Sequence, residues 1–323
     1  RSTLFPYTTL FRSRDIDSSL FFRNFAIMEQ VKTELSILIP TYNTICVDLV
    51  RTLYEQAVKL SLTYEIIVAD DGSTDTQAIG TNQSIAEIPN CQYIVRQENV
   101  GRAAIRNILA KTARYDYLLF IDSDMRIGDP LFLSNYLQNP CDTVIDGGVA
   151  ICGDDKLLKG NLRYLYEKSE EARHTAEQRC QTPYQHLHTA NLLIRRDIML
   201  QYPFDERFRH YGYEDVLLGK TLRQHRIAIS HIDNPVLFCD FESNPEFVAK
   251  TEEGLRTLHL FREDLRGYSR LLTFVGNIHI PVILSTIRLW HHLLGHLERK
   301  NLCGTRPCLL VFKLYRLGYF LSL

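Results

Sequence analysis

Two carboxylates one residue apart, Asp122 and Asp124, directly follow the apolar run Tyr117–Ile121. Such a run is typical of a buried strand, and the carboxyl ends of parallel strands are where α/β folds bind ligands. Carboxylate oxygens hold divalent cations, which keep positions open for phosphate oxygens. Taken alone, the tripeptide also fits a solvated turn. Its neighbours in the sequence favour a metal site that handles a nucleotide or another diphosphate.

A second acidic segment, Asp70-Asp71-Gly72-Ser73, follows the apolar run 64–69. A carboxylate at this position accepts hydrogen bonds from a base or a ribose, and Gly72 allows the chain to turn close to a ligand. Acids at a strand end also form solvated turns and other metal pockets. The segment therefore indicates nucleotide binding only in combination with the other motifs.

The segment 99–107 contains Gly101 and then a helix that carries Arg106 one to two turns from its start. Arginine makes bidentate contacts with oxyanions, so Arg106 is a candidate for contact with a phosphate or a base. A solvated basic helix face is the alternative.

Glu214 and Asp215 open a predicted helix after Tyr211-Gly212-Tyr213. A carboxylate that enters a helix is favoured by the helix dipole and stays ionised, as a general base requires. The alternative is a pair of first-turn acids without a catalytic role.

These motifs need a scaffold that brings them together. Strand and helix patterns alternate between residues 34 and 121, which predicts a mostly parallel sheet flanked by helices, the α/β class. The polar ends of its strands are then expected along one edge. Further strands are predicted in 143–152, 190–194 and 227–231, a helix in 214–226, and helices after Pro235.

In order and spacing, the segments 36–43, 66–75, 99–107, 122–124 and 214–215 resemble the family 2 glycosyltransferases, which have the GT-A fold. The resemblance covers about residues 34–253. It implies inverting transfer of a sugar from a nucleotide-diphosphate sugar, with UDP favoured, to a hydroxyl of a glycan or lipid-linked acceptor, in surface polysaccharide synthesis. The implied cofactor is a divalent metal, Mn²⁺ or Mg²⁺. Nucleic acid is not an expected partner.

The resemblance also implies a role for each matched residue. Asp122 would contact the ribose and the metal, Asp124 would bind the metal, and Asp215, beside Glu214, would be the catalytic base. The block 185–195 would lie on the acceptor side, with Asn191 as the candidate for sugar contact. The other matched residues are expected to line the nucleotide pocket: Pro40, Tyr42, Asp70, Asp71 and Arg106.

One position departs from the family pattern. Many relatives place a metal-binding histidine soon after the strand that follows the Glu-Asp helix, and Phe238 stands there in this chain. His231 is close but is expected to face elsewhere, and Asp240 is an alternative oxygen ligand. The third metal ligand is therefore undefined by the sequence.

Charge divides the chain unevenly. Its 323 residues have a net charge of -1, but residues 28–253 carry 23 Lys/Arg against 33 Asp/Glu, whereas 254–323 carry 10 against 3. No apolar run reaches the roughly 18 residues that span a bilayer. The basic tail is expected to form amphipathic helices, which bind anionic membrane surfaces. The alternative is that these helices pack onto the rest of the protein or onto a second subunit. The expected location is cytoplasmic, at the inner face of the cell membrane.

Three regions are expected: a non-native leader in 1–27, a catalytic domain in 28–253 and a basic helical tail in 254–323. Residues 1–13 resemble a translated sequencing adapter, and Met28 is the expected start. The eight cysteines include no C-x-x-C pair, which favours reduced thiols over a disulfide framework or a zinc site.

Two other functions fit part of the pattern. A catalytically degenerate transferase domain would bind a partner or glycan without turnover; the retained Asp122, Asp124 and Asp215 argue against it, and the missing histidine argues for it. Haloacid-dehalogenase-like phosphatases also have Asp-x-Asp after an apolar strand. They usually have Thr or Val where Met125 stands, and they carry the motif near the start of the domain.

Overall fold

The computed structural model describes residues 32–141, 143–278 and 281–323. The predicted leader 1–27 and the predicted start at Met28 lie outside the described residues. Residues from Lys32 to Leu323 group into one unit by their contacts.

Strands of the described residues form two sheets. In chain order they are β1 (Glu34–Thr41), β2 (Thr63–Asp70), β3 (Cys91–Val95), β4 (Tyr117–Ile121), β5 (Met125–Ile127), β6 (Val144–Asp146), β7 (Val149–Ile151), β8 (Asn191–Arg195), β9 (Ile229–His231) and β10 (Val236–Phe238). The central sheet has the order β3-β2-β1-β4-β8-β6-β9, and the small sheet has the order β5-β10-β7.

Most neighbours in the central sheet are parallel. Strand β1 pairs in parallel with β2 and β4, β2 with β3, and β6 with β9, whereas β8 runs antiparallel to both β4 and β6. Strands β1, β2 and β4 are apolar runs buried on both faces, as parallel strands covered by helices on each side must be. The register pairs Thr41 with Asp70, so these strands end at one edge. The predicted α/β class with a mostly parallel sheet is confirmed.

Helices cover both faces of this sheet and form the C-terminal extension. They are α1 (Val47–Lys59), α2 (Thr76–Asn82), α3 (Arg102–Thr112), α4 (Phe132–Leu137), α5 (Asp155–Leu158), α6 (Leu162–Glu170), α7 (Ala176–Gln181), α8 (Arg196–Gln201), α9 (Glu214–Gln224), α10 (Asn244–Leu260), α11 (Arg270–Gly276), α12 (Pro281–Leu302) and α13 (Leu309–Ser322). Helix α10 runs through the predicted boundary between residues 253 and 254.

The predicted strand in 143–152 is divided between the two sheets. Gly148, with φ +81°, turns the chain between β6 and β7, a backbone conformation that favours glycine. Periodicity could not show this division, because β6 and β7 are each only three residues long.

The small sheet also corrects the expectation of reduced thiols at one pair. Strands β7 and β10 are parallel neighbours, and the N–H of Cys152 donates to the carbonyl of Phe238 at 3.0 Å. The residues that follow the two strands are therefore adjacent. Cys152 and Cys239 form a disulfide with their Cα atoms 4.9 Å apart, and the other six cysteines are free.

The tail is partly packed on the rest of the protein. Helix α13 buries Phe312 and Tyr315 in a cluster with Leu162 of α6 and Phe247 of α10. Helix α12 keeps an exposed apolar face, on which Leu293 is 59% exposed. Among the described helices, none combines the length and the hydropathy needed to cross a membrane.

Candidate active site

Three neighbouring cavities follow the edge of the sheet. The aspartate cavity, about 400 Å³, is lined by Asp122 and Asp124; the Asp215 cavity, about 370 Å³, by Glu214 and Asp215; and the His188 cavity, about 350 Å³, by His188. The first two share the lining residues Arg102, Asp122, Tyr211 and Lys250, and the last two share Arg163 and Glu167. They therefore form one continuous depression.

Four of the five predicted nucleotide-pocket residues line the aspartate cavity, and the fifth, Asp70, does not. Pro40, Tyr42, Asp71 and Arg106 line the aspartate cavity. Asp70 is buried beside it, where its carboxylate accepts hydrogen bonds from the Ser73 N–H at 2.7 Å and the Tyr93 hydroxyl at 2.6 Å. Asp70 thus holds the turn after β2, and Asp71 is the residue of the pair that lines the cavity.

The Asp71 carboxylate links the turn after β2 to the loop that precedes α3. It accepts hydrogen bonds from the backbone N–H groups of Val100 at 2.9 Å and Gly101 at 3.0 Å. Burial raises the pKa of Asp71, although these two hydrogen bonds oppose the shift. The turn after β2 is in this way fixed against the start of α3.

Glycine is required where these loops meet. Gly72 has φ +74°, and a Cβ added there would lie 2.7 Å from the backbone nitrogen of Asn99. Gly101 has φ +91°, and its Cβ would lie 2.9 Å from the carbonyl oxygen of Arg209. Both positions combine a left-handed backbone with close backbone contact.

Arg106 links the two acidic motifs instead of reaching into solvent. Its guanidinium is 2% exposed and donates to Asp122 at 2.6 Å and to Glu214 at 3.2 Å. Burial by itself would raise the pKa of Asp122, but the Arg106 and Arg102 charges hold it below its ordinary value. Two of the three guanidinium nitrogens are therefore committed to protein carboxylates, which leaves little of Arg106 for the predicted contact with a phosphate.

Asp124 differs from Asp122 in having no hydrogen bond or ion pair to any described residue. Burial and the nearby charge of Asp122 raise its pKa. A partly buried carboxylate without a partner suits a bound cation, and carboxylate oxygens are the ligands that Mn²⁺ and Mg²⁺ accept. The two aspartates therefore fit a divalent metal as far as two protein ligands allow.

Among the described residues, no third His, Cys, Asp or Glu joins Asp122 and Asp124. Within the described ranges, no group of three or more His, Cys, Asp or Glu side chains is placed to hold an ion. Phe238 is buried with the Arg163 guanidinium 4.0 Å from its ring centroid, and His231 is buried beside Arg179. Asp240 is exposed, where it pairs with Arg126 at 3.0 Å, so it does not replace the missing histidine.

Asp215 lies in the first turn of α9, where a left-handed Tyr213 (φ 71°) precedes the helix. Its carboxylate accepts only the Val216 N–H, at 2.7 Å, among the described residues. Burial and the neighbouring Glu214 raise the pKa of Asp215 to about 6. The Oε2 atom of Glu214 is buried without a hydrogen-bond partner in the described structure.

Asn191, the predicted sugar contact, lines none of the three cavities. It is fully buried at the start of β8, where its side chain accepts from the Tyr136 hydroxyl at 2.6 Å and donates to the carbonyls of Gly148 and Asn234, each at 2.8 Å. These bonds occupy both the oxygen and the nitrogen of the Asn191 side-chain amide. Sequence alone could not show this, because the partners lie 43 and 55 residues away.

His188, three residues earlier, does face a cavity. The carboxylate of buried Asp146 accepts a hydrogen bond from the backbone N–H of His188 at 3.0 Å. The same carboxylate lies 3.2 Å from the Nδ1 atom of the His188 ring. Burial alone would lower the pKa of His188, but the charge and hydrogen bond of Asp146 raise it. Asp146 also pairs with buried Arg179 at 3.1 Å, which holds the carboxylate that contacts His188.

Sequence patterns missed Arg102, Tyr211 and Lys250, which line both the aspartate cavity and the Asp215 cavity. Arg102 lies in the motif 99–107, and Tyr211 lies just before the Glu214-Asp215 motif. Their position in or beside a motif could therefore have marked them as candidates. Lys250 comes from α10, and no local pattern distinguishes it from a surface lysine.

This fold and site agree with the glycosyltransferase pattern found in the sequence. Residues 36–202 match the family model described as Glycosyl transferase family 2. The chain belongs to this family.

Similar proteins include bacterial polymer synthases. The chain is 28% identical over 234 residues to the chondroitin synthase of Escherichia coli, covering 58% of this chain and 32% of the relative. It is 25% identical over 284 residues to the chondroitin synthase of Pasteurella multocida (strain Pm70), covering 76% and 29%. The chain thus spans less than a third of the length of these curated relatives.

One shorter sequence match and one solved structure add to these relatives. The chain is 37% identical over 107 residues to the poly(ribitol-phosphate) beta-glucosyltransferase of Bacillus spizizenii, covering 32% of this chain and 17% of the relative. A crystal structure of S. aureus TarS 1-349 aligns with a TM-score of 0.49 at 17% identity, covering 90% of this chain and 89% of that one.

Proposed function

We propose that the chain is an inverting glycosyltransferase that moves a sugar from a nucleotide-diphosphate sugar to a hydroxyl of a glycan or lipid-linked acceptor, in surface polysaccharide synthesis. The observation that carries the proposal is the continuity of two cavities: Asp122 lines both the one that holds Asp124 and the one that holds Asp215. This continuity supports a cation-binding role for Asp124 and a base role for Asp215 along one depression. Family membership and the similarity to chondroitin synthases support this assignment.

The donor nucleotide is assigned to the aspartate cavity, with UDP favoured. Asp71 accepts hydrogen bonds from the base or ribose, Pro40 and Tyr42 contact the nucleoside, and Asp122 accepts from the ribose. Asp124 and Asp122 would hold Mn²⁺ or Mg²⁺, and the ion, when bound, offsets the negative charge that develops on the departing diphosphate. Arg106 keeps Asp122 ionised and in place.

Asp215 is assigned as the base. It takes the proton of the acceptor hydroxyl while the hydroxyl oxygen forms a bond to the anomeric carbon. The bond from that carbon to the diphosphate oxygen breaks, and the bonding electrons leave with the diphosphate. Attack from the opposite face inverts the anomeric configuration. A pKa of about 6 leaves Asp215 ionised at pH 7 and still basic enough to assist the transfer.

The acceptor is assigned to the His188 cavity, which adjoins the Asp215 cavity through Arg163 and Glu167. Within the block 185–195, His188 replaces Asn191 as the candidate contact. The imidazole held by Asp146 and the Glu167 carboxylate offer polar partners for sugar hydroxyls, and Val149 and Pro235 offer apolar surface.

Contact with an anionic membrane surface is assigned to the exposed face of α12. Val282, Leu289, Leu293 and Leu297 follow helical spacing on that face, with half-exposed Trp290 beside them. Arg288, Arg299 and Lys300 belong to the same helix, and the tail carries 10 Lys/Arg against 3 Asp/Glu. Apolar burial with flanking positive charge fits anionic lipid, which would place a lipid-linked acceptor near the site.

A donor screen tests the proposed function. Purified protein is incubated with UDP-, GDP- and dTDP-sugars and Mn²⁺ or Mg²⁺, with glycan acceptors added, and nucleotide release is followed. Release with one donor, lost in Asp124→Asn, supports the proposal. Nucleotide binding without any turnover would favour the degenerate binding module. Phosphate release from a phosphomonoester, without sugar transfer, would favour a phosphatase.

A further inference from the structure

Two cations flank one aromatic ring at the border of the aspartate and Asp215 cavities. The Arg102 guanidinium and the Lys250 ammonium each lie 4.8 Å from the ring centroid of Tyr211. All three side chains line both cavities. The ring therefore holds two positive charges, one from α3 and one from α10, beside the paired aspartates.

Neither cation is fully neutralised by the described part of the chain. Arg102 makes no hydrogen bond or ion pair to the described residues. Lys250 lies 3.3 Å from the Glu242 carboxylate, but Arg163 binds that same carboxylate more closely, at 2.6 Å and 2.7 Å. Arg163 also lies 3.9 Å from Glu167. Lys250 therefore has only the longer contact to a carboxylate that it shares with Arg163.

These charges also reach the metal-binding aspartates. Lys250 and Arg102 both stabilise the ionised form of Asp124, and Arg102 does the same for Asp122 after Arg106. The two cations and the two aspartates therefore line the same cavity. A ligand that contacts both the cations and a metal held by the aspartates is expected to carry several anionic oxygens.

We infer that Arg102 and Lys250 bind the diphosphate of the donor at the border of the aspartate and Asp215 cavities, and so add positive charge beside a metal site that has only two carboxylate ligands. The inference rests on the proposed function and deepens it. Arg106, the arginine that the sequence favours for this contact, is committed to Asp122 and Glu214. Arg102 lies one helical turn earlier and has its charge available.

Binding measurements without metal isolate the side-chain contribution. Calorimetric titrations of the full chain with UDP, uridine and pyrophosphate are made in EDTA for the wild type, Arg102→Met and Lys250→Met. Methionine keeps much of the side-chain bulk and removes the charge. Each variant is expected to weaken UDP binding about tenfold, because hydrogen bonds to charged groups contribute on the order of 1.5 kcal/mol or more, whereas uridine affinity changes less than about twofold.

Two further variants separate charge from structure. Arg102→Lys and Lys250→Arg keep the charge and are expected to retain most of the UDP affinity. Arg126→Ala is the matched control, because Arg126 is exposed, pairs with exposed Asp240 and lines none of the three cavities. Its UDP affinity is expected to equal that of the wild type.

Three results would overturn the inference: UDP affinity in the methionine variants equal to that of the wild type, an equal loss of uridine affinity, or no binding of UDP and pyrophosphate to the wild type in EDTA. The proposed function fails on a different measurement, the absence of nucleotide release with any donor sugar. An active transferase whose methionine variants bind UDP normally would therefore reject this inference alone.

Discussion

Asp215 titrates within the pH range of ordinary assays, because burial and Glu214 raise its pKa to about 6. A base must be ionised, so the rate is expected to rise as pH increases through 6 and to level off above about 7. The measurement is the initial rate of nucleotide release from pH 5 to 8 at saturating donor. A rate that is constant over this range, or that falls as pH rises through 6, contradicts the role of Asp215.

Gly101 limits which residue can start α3 beside the site. Gly101→Ala is expected to lower the free energy of unfolding by about 1 to 3 kcal/mol, because its φ is +91° and the new Cβ would lie 2.9 Å from the Arg209 carbonyl oxygen. Urea denaturation measures the change. Gly80→Ala is the control: Gly80 lies in α2 with nothing within 4 Å of an added Cβ, so that variant should be no less stable than the wild type. Equal stability of the Gly101 variant would reject the packing argument.

At the level of residues, the sequence could predict positions better than contacts. Asp122 and Asp124 follow a recognisable strand end and Asp215 lies at a recognisable helix start, and in the structure they line adjoining cavities. The environments of Arg106 and Asn191 could not be predicted in the same way. Each is fixed by partners distant in the sequence: Glu214 is 108 residues from Arg106, and Tyr136 is 55 residues from Asn191.

At the level of elements, the small sheet fixes the segment that follows Asp124 and the segment that contains Phe238. Strand β10 pairs with β5, which begins one residue after Asp124, and with β7. Phe238 is consequently buried in this sheet and packs on Arg163, which explains why no side chain at this position reaches the aspartates.

The disulfide in this sheet gives a direct test of its pairing. Thiol titration of the denatured protein without reductant is expected to give six thiols, and eight after reduction, because Cys152 and Cys239 are joined. The Cys152→Ser, Cys239→Ser double variant is expected to give six thiols under both conditions. Eight thiols in the unreduced wild type would show that the pair is not joined.

Strands could be predicted from the sequence where their apolar runs were long. Strands β1, β2 and β4 are apolar runs of five or more residues that end in polar residues, and the structure brings their ends to one edge. Strands β5, β7 and β10 have three residues each, too few for a period to emerge. Their pairing depends on contacts between segments far apart in the chain, which no local signal records.

At the level of the whole molecule, the exposed face of α12 is expected to bind anionic membranes. In flotation assays, the wild type should associate with vesicles of phosphatidylglycerol and phosphatidylcholine more than with phosphatidylcholine alone, and less at high salt. The Leu289→Glu, Leu293→Glu double variant should lose this association. Leu131→Glu is the control, because Leu131 is exposed outside the tail.

The outcome also distinguishes other occupants of that face. Loss of a dimer in the double variant, without any vesicle binding by the wild type, would assign the face to a second copy of the chain. Vesicle binding unaffected by the double variant would place the lipid contact elsewhere on the molecule.

The most direct test of the account compares wild type with Asp215→Asn at pH 7.5, with Mn²⁺, the preferred donor sugar and an acceptor. Asparagine keeps the size of the side chain but cannot act as a base, so the rate of sugar transfer is expected to fall by about a hundredfold or more, with UDP affinity unchanged within about twofold. Transfer by Asp215→Asn at the wild-type rate would contradict the central claim that Asp215 takes the acceptor proton.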